Sequence, residues 1–418
     1  MRRFPRRYAM TVVLAGYALL ACTAQAAEIA VQQITQGPLH HFYGYIGHVG
    51  NTPWDGTGQF MVVLRTHFQD RMPEANESAD LVLLDAHDGW RAERLDETRA
   101  WNFQQGSMLY WDPEAPDRRF FFNDRDPATN GIFCVLYDIK ERKRIREYRF
   151  DESPIGNSGV SQRGGFFLAL NYGRLARLRP VTGYPGAWDW TAGEVHPEKD
   201  GIWKVDVATG GRDLLISYRK LAEALRPRRP DIDAYPLFIN HTLCNREATS
   251  IFAFMRGGWE GDPRPNRIDV PFTINLETKE LKFLPAHIGG HPEWAPGNLL
   301  VGSVDGRQVL FDPLAGAVAG TIGTPESIPR PGGDVALSPD GKWLINGRHS
   351  AAKSCYSVVG LETGEWFATP CLDIGTYKEG ELRIDPAPCW NRDGSAFASP
   401  GLAPDGTRQT FVFQIDRR

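Results

Sequence analysis

Apolar residues along this chain come in short alternating runs rather than at helical spacing. Each run of about five to eight residues is closed by Gly, Asn, Asp or Pro, the pattern of half-buried strands joined by tight turns. A turn or aromatic signal leading into such a run recurs seven times. The copies are WDGTGQFMVVL from Trp54, WNFQQGSMLYW from Trp101, SQRGGFFLAL from Ser161, CNREATSIFAF from Cys244, EWAPGNLLVGS from Glu293, SPDGKWLING from Ser338 and WNRDGSAFAS from Trp390. Each is followed by a second strand ending in an acidic or turn-forming hairpin, from LVLLDAHDG at Leu81 to TFVFQIDRR at Thr410. Gly or Asn at these turns supplies the positive φ that a tight hairpin needs.

A unit of about 45 to 60 residues with a few short strands cannot bury both faces alone, so it must stack on its copies. The expected fold is therefore all-β: a seven-bladed β-propeller with four-stranded antiparallel blades, radial repetition leaving few open edges. AEIAVQQIT, near the N-terminus, is expected to add an outer strand to the blade containing TFVFQI and so close the ring. Two stacked sandwiches are the competing arrangement, but no linker or composition shift divides the chain. Helix is scarce, with YRKLAEAL from Tyr218 the best candidate. The SPDG turn at Ser338 to Gly341 reads as the inner hairpin of one blade, with no functional role.

Composition fits a turn-rich globular chain: 418 residues, 42% hydrophobic, with 43 Gly and 30 Pro. Residues 1–26 read as a secretory signal peptide, leaving 27–418 as one propeller domain. Arg2, Arg3, Arg6 and Arg7 precede an apolar run from Met10 to Ala21 that is too short to span a bilayer, and Ala24-Gln25-Ala26 is a small-x-small cleavage site. The expected location is periplasmic or extracellular. The rival reading takes Leu19-Leu20-Ala21-Cys22 as a lipobox, which would tether the protein to a membrane through Cys22.

Cleavage removes four of 47 basic residues and none of the 51 acidic ones, for a formal net charge of −8. That balance argues against nucleic acid as a partner, because phosphate binding needs clustered Lys and Arg. Of the five remaining cysteines, Cys355, Cys371 and Cys389 lie in consecutive repeats, where an oxidising compartment would permit a disulfide. Buried free thiols are the alternative.

Candidate chemistry lies where the repeat is interrupted. Six of the ten histidines occupy loops leading into inner strands: His40, His41 and His48 before the first blade with Tyr43 and Tyr45, His241 beside Asn240 before the fourth, and His287 and His291 before the fifth. Between blades three and four, LNYGRLARLRPVTGYPGAWDW combines Arg174, Arg177 and Arg179 with Tyr172, Tyr184, Trp188 and Trp190. Guanidiniums suit carboxylate or sulfate, and flat apolar faces suit sugar rings. Ordinary ion pairing of these arginines within a loop is the competing reading. Arg226, Arg228 and Arg229, among prolines, read as a solvated connector.

Taken in order, HHFYGY, NTPWDGTG, WNFQQGSMLYW, FFFNDRD, RLARLRPVTGYP, FINHTL and SPDGKWLI resemble the secreted seven-bladed propellers that include ulvan lyases, and more distantly oligogalacturonate lyases. The resemblance implies β-elimination on an anionic polysaccharide containing uronic acid, by a monomer. It implies His and Tyr for proton transfer, with His241 as base or carboxylate partner and Tyr184 or Tyr172 as proton donor. Substrate binding falls to Arg174, Arg177, Arg179, Asn240, His41, Asn123, Arg125 and Trp188. The chain departs from the lyases in having no histidine between His87 and His196, where they carry a catalytic one. A divalent metal is a candidate cofactor with His287 and His291 as ligands, although four residues apart in a Gly-containing loop is a weak signature. The alternatives from other classes are a non-catalytic glycan-binding propeller and a periplasmic partner-binding propeller.

Overall fold

The computed structural model describes residues 28–44 and 51–416. The signal peptide, Cys22, Tyr45 and His48 lie outside the described residues.

The strands grade from buried to charged as each sheet is crossed. In the second sheet Arg119–Arg125 and Ile132–Asp138 are almost wholly buried, whereas Lys143–Tyr148 (KRIREY) alternates exposed and half-buried positions. Charge on the last strand protects an edge that would otherwise template further pairing. The order is the same elsewhere: His40–Phe42, Phe60–Thr66, Ala79–Asp85 and Arg91–Thr98 form the first sheet, and Gly156–Val160, Phe166–Leu170, Gly201–Asp206 and Arg212–Ser217 the third. The fourth is Leu237–Cys244, Ser250–Gly257, Ile268–Asn275 and Leu281–Phe283. Glu28–Gln33 completes the last sheet by pairing residue for residue along the C-terminal strand, from Glu28 opposite Asp416 to Gln33 opposite Phe411. The expected closure is therefore present, in an all-β propeller of four-stranded antiparallel blades.

The expectation of seven separate blades is corrected, since five four-stranded sheets stand alone. The fifth and sixth repeats share one nine-stranded sheet, in which Gly289–Ala295 and Asp334–Leu337, the two inner strands, meet through a single parallel pairing of His291 with Asp334. Glycine permits this approach. Gly290 has φ +82° and stands so close to the neighbouring strand that a Cβ would lie 2.5 Å from the Gly332 carbonyl oxygen. Gly290→Ala is expected to cost about 1–3 kcal/mol, through both that clash and the positive φ, and to lower the urea midpoint.

The SPDG turn is structural, as expected. The Ser338 hydroxyl bonds to Asp340, and its oxygen accepts the Trp343 amide at 3.0 Å between strands Asp334–Leu337 and Trp343–Ser350. Helix Tyr218–Leu225 also forms where expected; Ser217 caps it, and it buries Tyr218, Leu221, Ala222 and Leu225 on one face. A second short helix, Tyr172–Leu178, is capped by Asn171. It belongs to the long insertion, which lies inside the third sheet between Phe166–Leu170 and Gly201–Asp206 rather than between the third and fourth blades. Among the described residues no helix is long and apolar enough to cross a membrane.

Cys355 and Cys371 form a disulfide, while Cys134, Cys244 and Cys389 are buried thiols. The bridge closes a loop of 16 residues, for which chain entropy gives about 3 kcal/mol. Cys371→Ser should lower unfolding free energy by about that amount in denaturant titration, and reducing agent should have the same effect on the parent protein.

Candidate functional site

Antiparallel order places the starts of all inner strands at one end of the propeller, together with the links between second and third strands. The long insertion (171–200) and segments 258–267, 284–288, 322–333 and 369–388 therefore share one face around the axis.

His241 reaches this region by a break in its strand. The ladder between Leu237–Cys244 and Ser250–Gly257 shifts register between Asn240 and Leu243, and His241 within the bulge has φ +59°. A non-glycine residue there costs on the order of 1 kcal/mol and must be held. Asn240 Oδ1 accepts the His241 amide at 2.9 Å, and the Thr242 hydroxyl donates to the Ser158 carbonyl at 2.8 Å. The bulge re-aims the side chain, so that the His241 ring centroid lies 5.2 Å from that of His291 and 5.7 Å from that of Phe254. His287, on the exposed preceding loop, packs its ring 5.6 Å from the other neighbour, Phe254.

His291 Nδ1 is hydrogen-bonded to Asp334 Oδ1, and Asp334 Oδ2 accepts the Ala387 amide at 2.9 Å. Burial disfavours a charged imidazole, but the adjacent carboxylate outweighs it and raises the His291 pKa. Burial likewise works against ionised Asp334, and His291 overrides it, so the carboxyl is held below its usual value. Each partner thus favours the charged form of the other, imidazolium beside carboxylate.

Three guanidiniums complete the cluster. Arg256 is anchored to Asp269 at 2.9 Å and lies over the rings of Phe254 and Trp259, 4.5 and 4.9 Å from their centroids. Arg179 lies over the same Trp259 ring at 4.4 Å and pairs with Glu260. Burial lowers the Arg179 pKa to about 10, with Arg256 and Arg383 contributing in the same direction. Arg383 donates to Asp385 at 2.8 Å, and its charge is felt by both His291 and Asp334. Two imidazoles and three cations thus converge on a region walled by Phe254 and Trp259. That arrangement can hold a carboxylate and move protons beside it.

Of the residues nominated from sequence, His241, His287, His291, Asn240 and Arg179 belong to this neighbourhood, Asn240 as the clasp of the bulge. The others are placed elsewhere. Tyr172 and Tyr184 are corrected as proton donors: they are 1% and 0% exposed, stack on each other at 4.4 Å, and burial raises both pKa values. The Tyr172 hydroxyl donates to the Asn157 carbonyl, and that of Tyr184 accepts from Asn123. Asn123 is corrected as a substrate ligand, since its amide is committed to Tyr184 and to both main-chain groups of Asn157.

Arg174 is corrected likewise. It is fully buried and donates to the carbonyls of Leu237, Glu194 and Val195, which makes it an internal brace. Arg177 pairs with Asp189 at 2.8 Å, the ordinary loop pairing that competed with a binding role. His41 is buried against Gln409, 3.0 Å away, and burial lowers its pKa to about 4. Arg125 is 2% exposed beneath the surface beside Tyr184. Trp188 stands 41% exposed on the insertion.

Among the described residues no three His, Cys, Asp or Glu side chains stand in a ligating arrangement, so His287 and His291 gain no third ligand for a metal.

Asp334, Arg256 and Arg383 were not found by reading the sequence, although a signal for Asp334 exists. Gly289-Gly290-His291 and Gly332-Gly333-Asp334 are the same doublet at the same position of consecutive repeats. Residues at equivalent positions of neighbouring inner strands face one another near the axis.

No protein-family model matches this chain, and no curated protein matches it either. Among solved structures, an oligogalacturonate lyase in complex with manganese superimposes with a TM-score of 0.59 at 12% identity, covering 94% of this chain and 97% of that one. The oligogalacturonate lyase of Vibrio parahaemolyticus gives 0.57 at 11% identity, covering 93% and 97%. At such identities the likeness is one of fold.

Proposed function

We propose that this protein is a polysaccharide lyase that cleaves a uronate-containing chain by β-elimination. The observation that carries the reading is the convergence of His241 and the His291–Asp334 pair with Arg179, Arg256 and Arg383 at one mouth of the propeller. The likeness of fold to oligogalacturonate lyases raises its weight without replacing that observation.

The proton removed in such a reaction is α to a carboxylate, so the substrate must be held with that charge neutralised. Arg179, Arg256 and Arg383 supply the neutralisation; each engages its own acid, Glu260, Asp269 and Asp385, through one nitrogen, so the substrate carboxylate shares these guanidiniums with them. His241 takes the C5 proton, the C5–H electron pair becomes the C4–C5 double bond, and the C4–O bond breaks. His291, charged through Asp334, delivers a proton to the departing oxygen. Rings 5.2 Å apart can serve adjacent carbons of one sugar. Both histidines then return to their starting states by exchange with solvent. His291 thus takes the donor role that the sequence assigned to Tyr172 or Tyr184. No step is routed through a metal.

The polysaccharide itself, ulvan or a polygalacturonate, is a matter for direct assay. The protein is incubated with ulvan, polygalacturonate, alginate and glycosaminoglycans, with and without chelator, and ultraviolet absorbance of the unsaturated uronate is followed. A rise with one of them supports elimination and identifies the substrate. A flat trace from folded protein across the panel would overturn the lyase reading in favour of glycan binding by the same cations.

A further inference from the structure

The opposite mouth of the channel holds a cavity of about 310 Å³, whose lining comes from the turns between first and second strands of several repeats. It is separate from the cluster of His241 and His291, because those turns lie at the far end of the strands. A volume near 300 Å³ is at the lower end of the range for small-molecule sites.

Three arginines line it, and none donates a hydrogen bond to a carboxylate. Arg163 Nε donates to the Arg246 carbonyl at 3.2 Å. Arg246 donates to the carbonyls of Trp294 and Pro339 at 3.2 and 3.3 Å. Arg392 donates to those of Trp54 and Asp55 at 3.0 and 3.2 Å. Carbonyls orient a guanidinium without cancelling its charge, so the cavity carries fixed positive charge.

The one acid in the lining is Glu293. It is 3% exposed, accepts the Leu337 amide at 2.8 Å, and lies 3.9 Å from Arg246, beyond hydrogen-bond reach. Burial raises its pKa to about 7, against the opposing effect of Arg246. A group that can carry a proton there offers a donor to an oxyanion instead of a repelling charge. Trp390, Ala336 and Leu337 add apolar wall.

We propose that this cavity is a binding site for a small organic acid, its carboxylate on Arg163, Arg246 and Arg392, its second oxygen function on Glu293, and its carbon body against Trp390. The inference is independent of the lyase reading.

The test is isothermal titration of the full chain with malate and succinate, neither of them a uronate, at pH 6 and pH 8, using inorganic sulfate as a bare oxyanion control. Saturable binding is expected, about tenfold weaker in Arg163→Ala, whose exposed side chain can be removed without disturbing the fold. Affinity should fall at pH 8, where ionised Glu293 repels the ligand; the other groups facing it are Arg246, Arg163, Arg392 and the Cys389 thiol, which burial keeps neutral. Glu293→Gln should abolish that pH dependence.

Arg383→Ala, at the other mouth, should leave the affinity unchanged. If Arg383→Ala weakens binding and Arg163→Ala does not, the acid occupies the other mouth and the proposal is overturned. Absence of saturable binding, or sulfate binding as tightly as both acids, would also overturn it.

Discussion

Replacing His241 with asparagine is expected to lower kcat by about 10²–10⁴-fold, the usual contribution of a positioned general base, with KM little changed. Asparagine is chosen because it tolerates a positive φ better than alanine does, and His241 sits at φ +59° in a bulge that must survive the test. His241→Ala would confound loss of the base with added backbone strain. Arg179, Arg256 and Arg383 are untouched, so on this reading oligosaccharide affinity measured by titration should persist while the absorbance signal disappears. Retained turnover in a folded His241→Asn protein would remove His241 from the chemistry.

Asp334→Asn is expected to lower kcat by about 10²-fold through His291 and to shift the pH profile. With the carboxylate gone, burial is the largest remaining influence on His291, with Asp385 acting against it and Arg383 with it, so the imidazole loses its proton at lower pH and the alkaline limb of the kcat profile moves to lower pH. A purely structural role for Asp334 would lower activity without moving that limb.

Stability should respond with a defined sign. His291 has a raised pKa, so its contribution is complete below the ordinary histidine value and is lost as pH rises through the raised one. Asp334 has a lowered pKa, so its contribution is complete above the ordinary carboxylate value and is lost as pH falls through the lowered one. The parent protein should therefore gain most from the pair between about pH 4 and 6.5, and the variant should lose about 3 kcal/mol there. Urea unfolding at pH 5.5 and pH 9 checks both parts, the difference between the two proteins narrowing at the higher pH.

The pattern of short alternating runs and glycine-rich turns was sufficient for the strand content, the repeats, the N-terminal closing strand and helix Tyr218–Leu225, because each rests on local burial periodicity or turn chemistry. A disulfide among the last three cysteines was one of two open readings; the bond that forms joins Cys355 and Cys371 within one repeat, and Cys389 of the next repeat stays a thiol. Helix Tyr172–Leu178 was not legible, since seven residues containing Gly173 carry too little periodicity to compete with a loop.

The site was legible only in part. His241, His291 and Arg179 could be nominated by residue type and place in the repeat. Asp334 lies 43 residues beyond His291 across the junction of two repeats, and Arg383 lies in a loop 92 residues beyond it, separations that local pattern cannot register. Arg256 is close, 15 residues from His241 on the adjacent strand, but only the pairing of the two strands shows that they meet.

Burial decided the rest. The sequence presents Tyr172, Arg174, Arg177, Arg179 and Tyr184 as one polar aromatic stretch, whereas packing sends Tyr172, Arg174 and Tyr184 inward, ties Arg177 to Asp189 and leaves Arg179 over Trp259 at the cluster. Residue types and their spacing settle which groups are available for chemistry. Which of them meet is set by the approach of inner strands around the axis, where Gly290 and Gly332 allow His291 to touch Asp334, and that contact exists only in three dimensions.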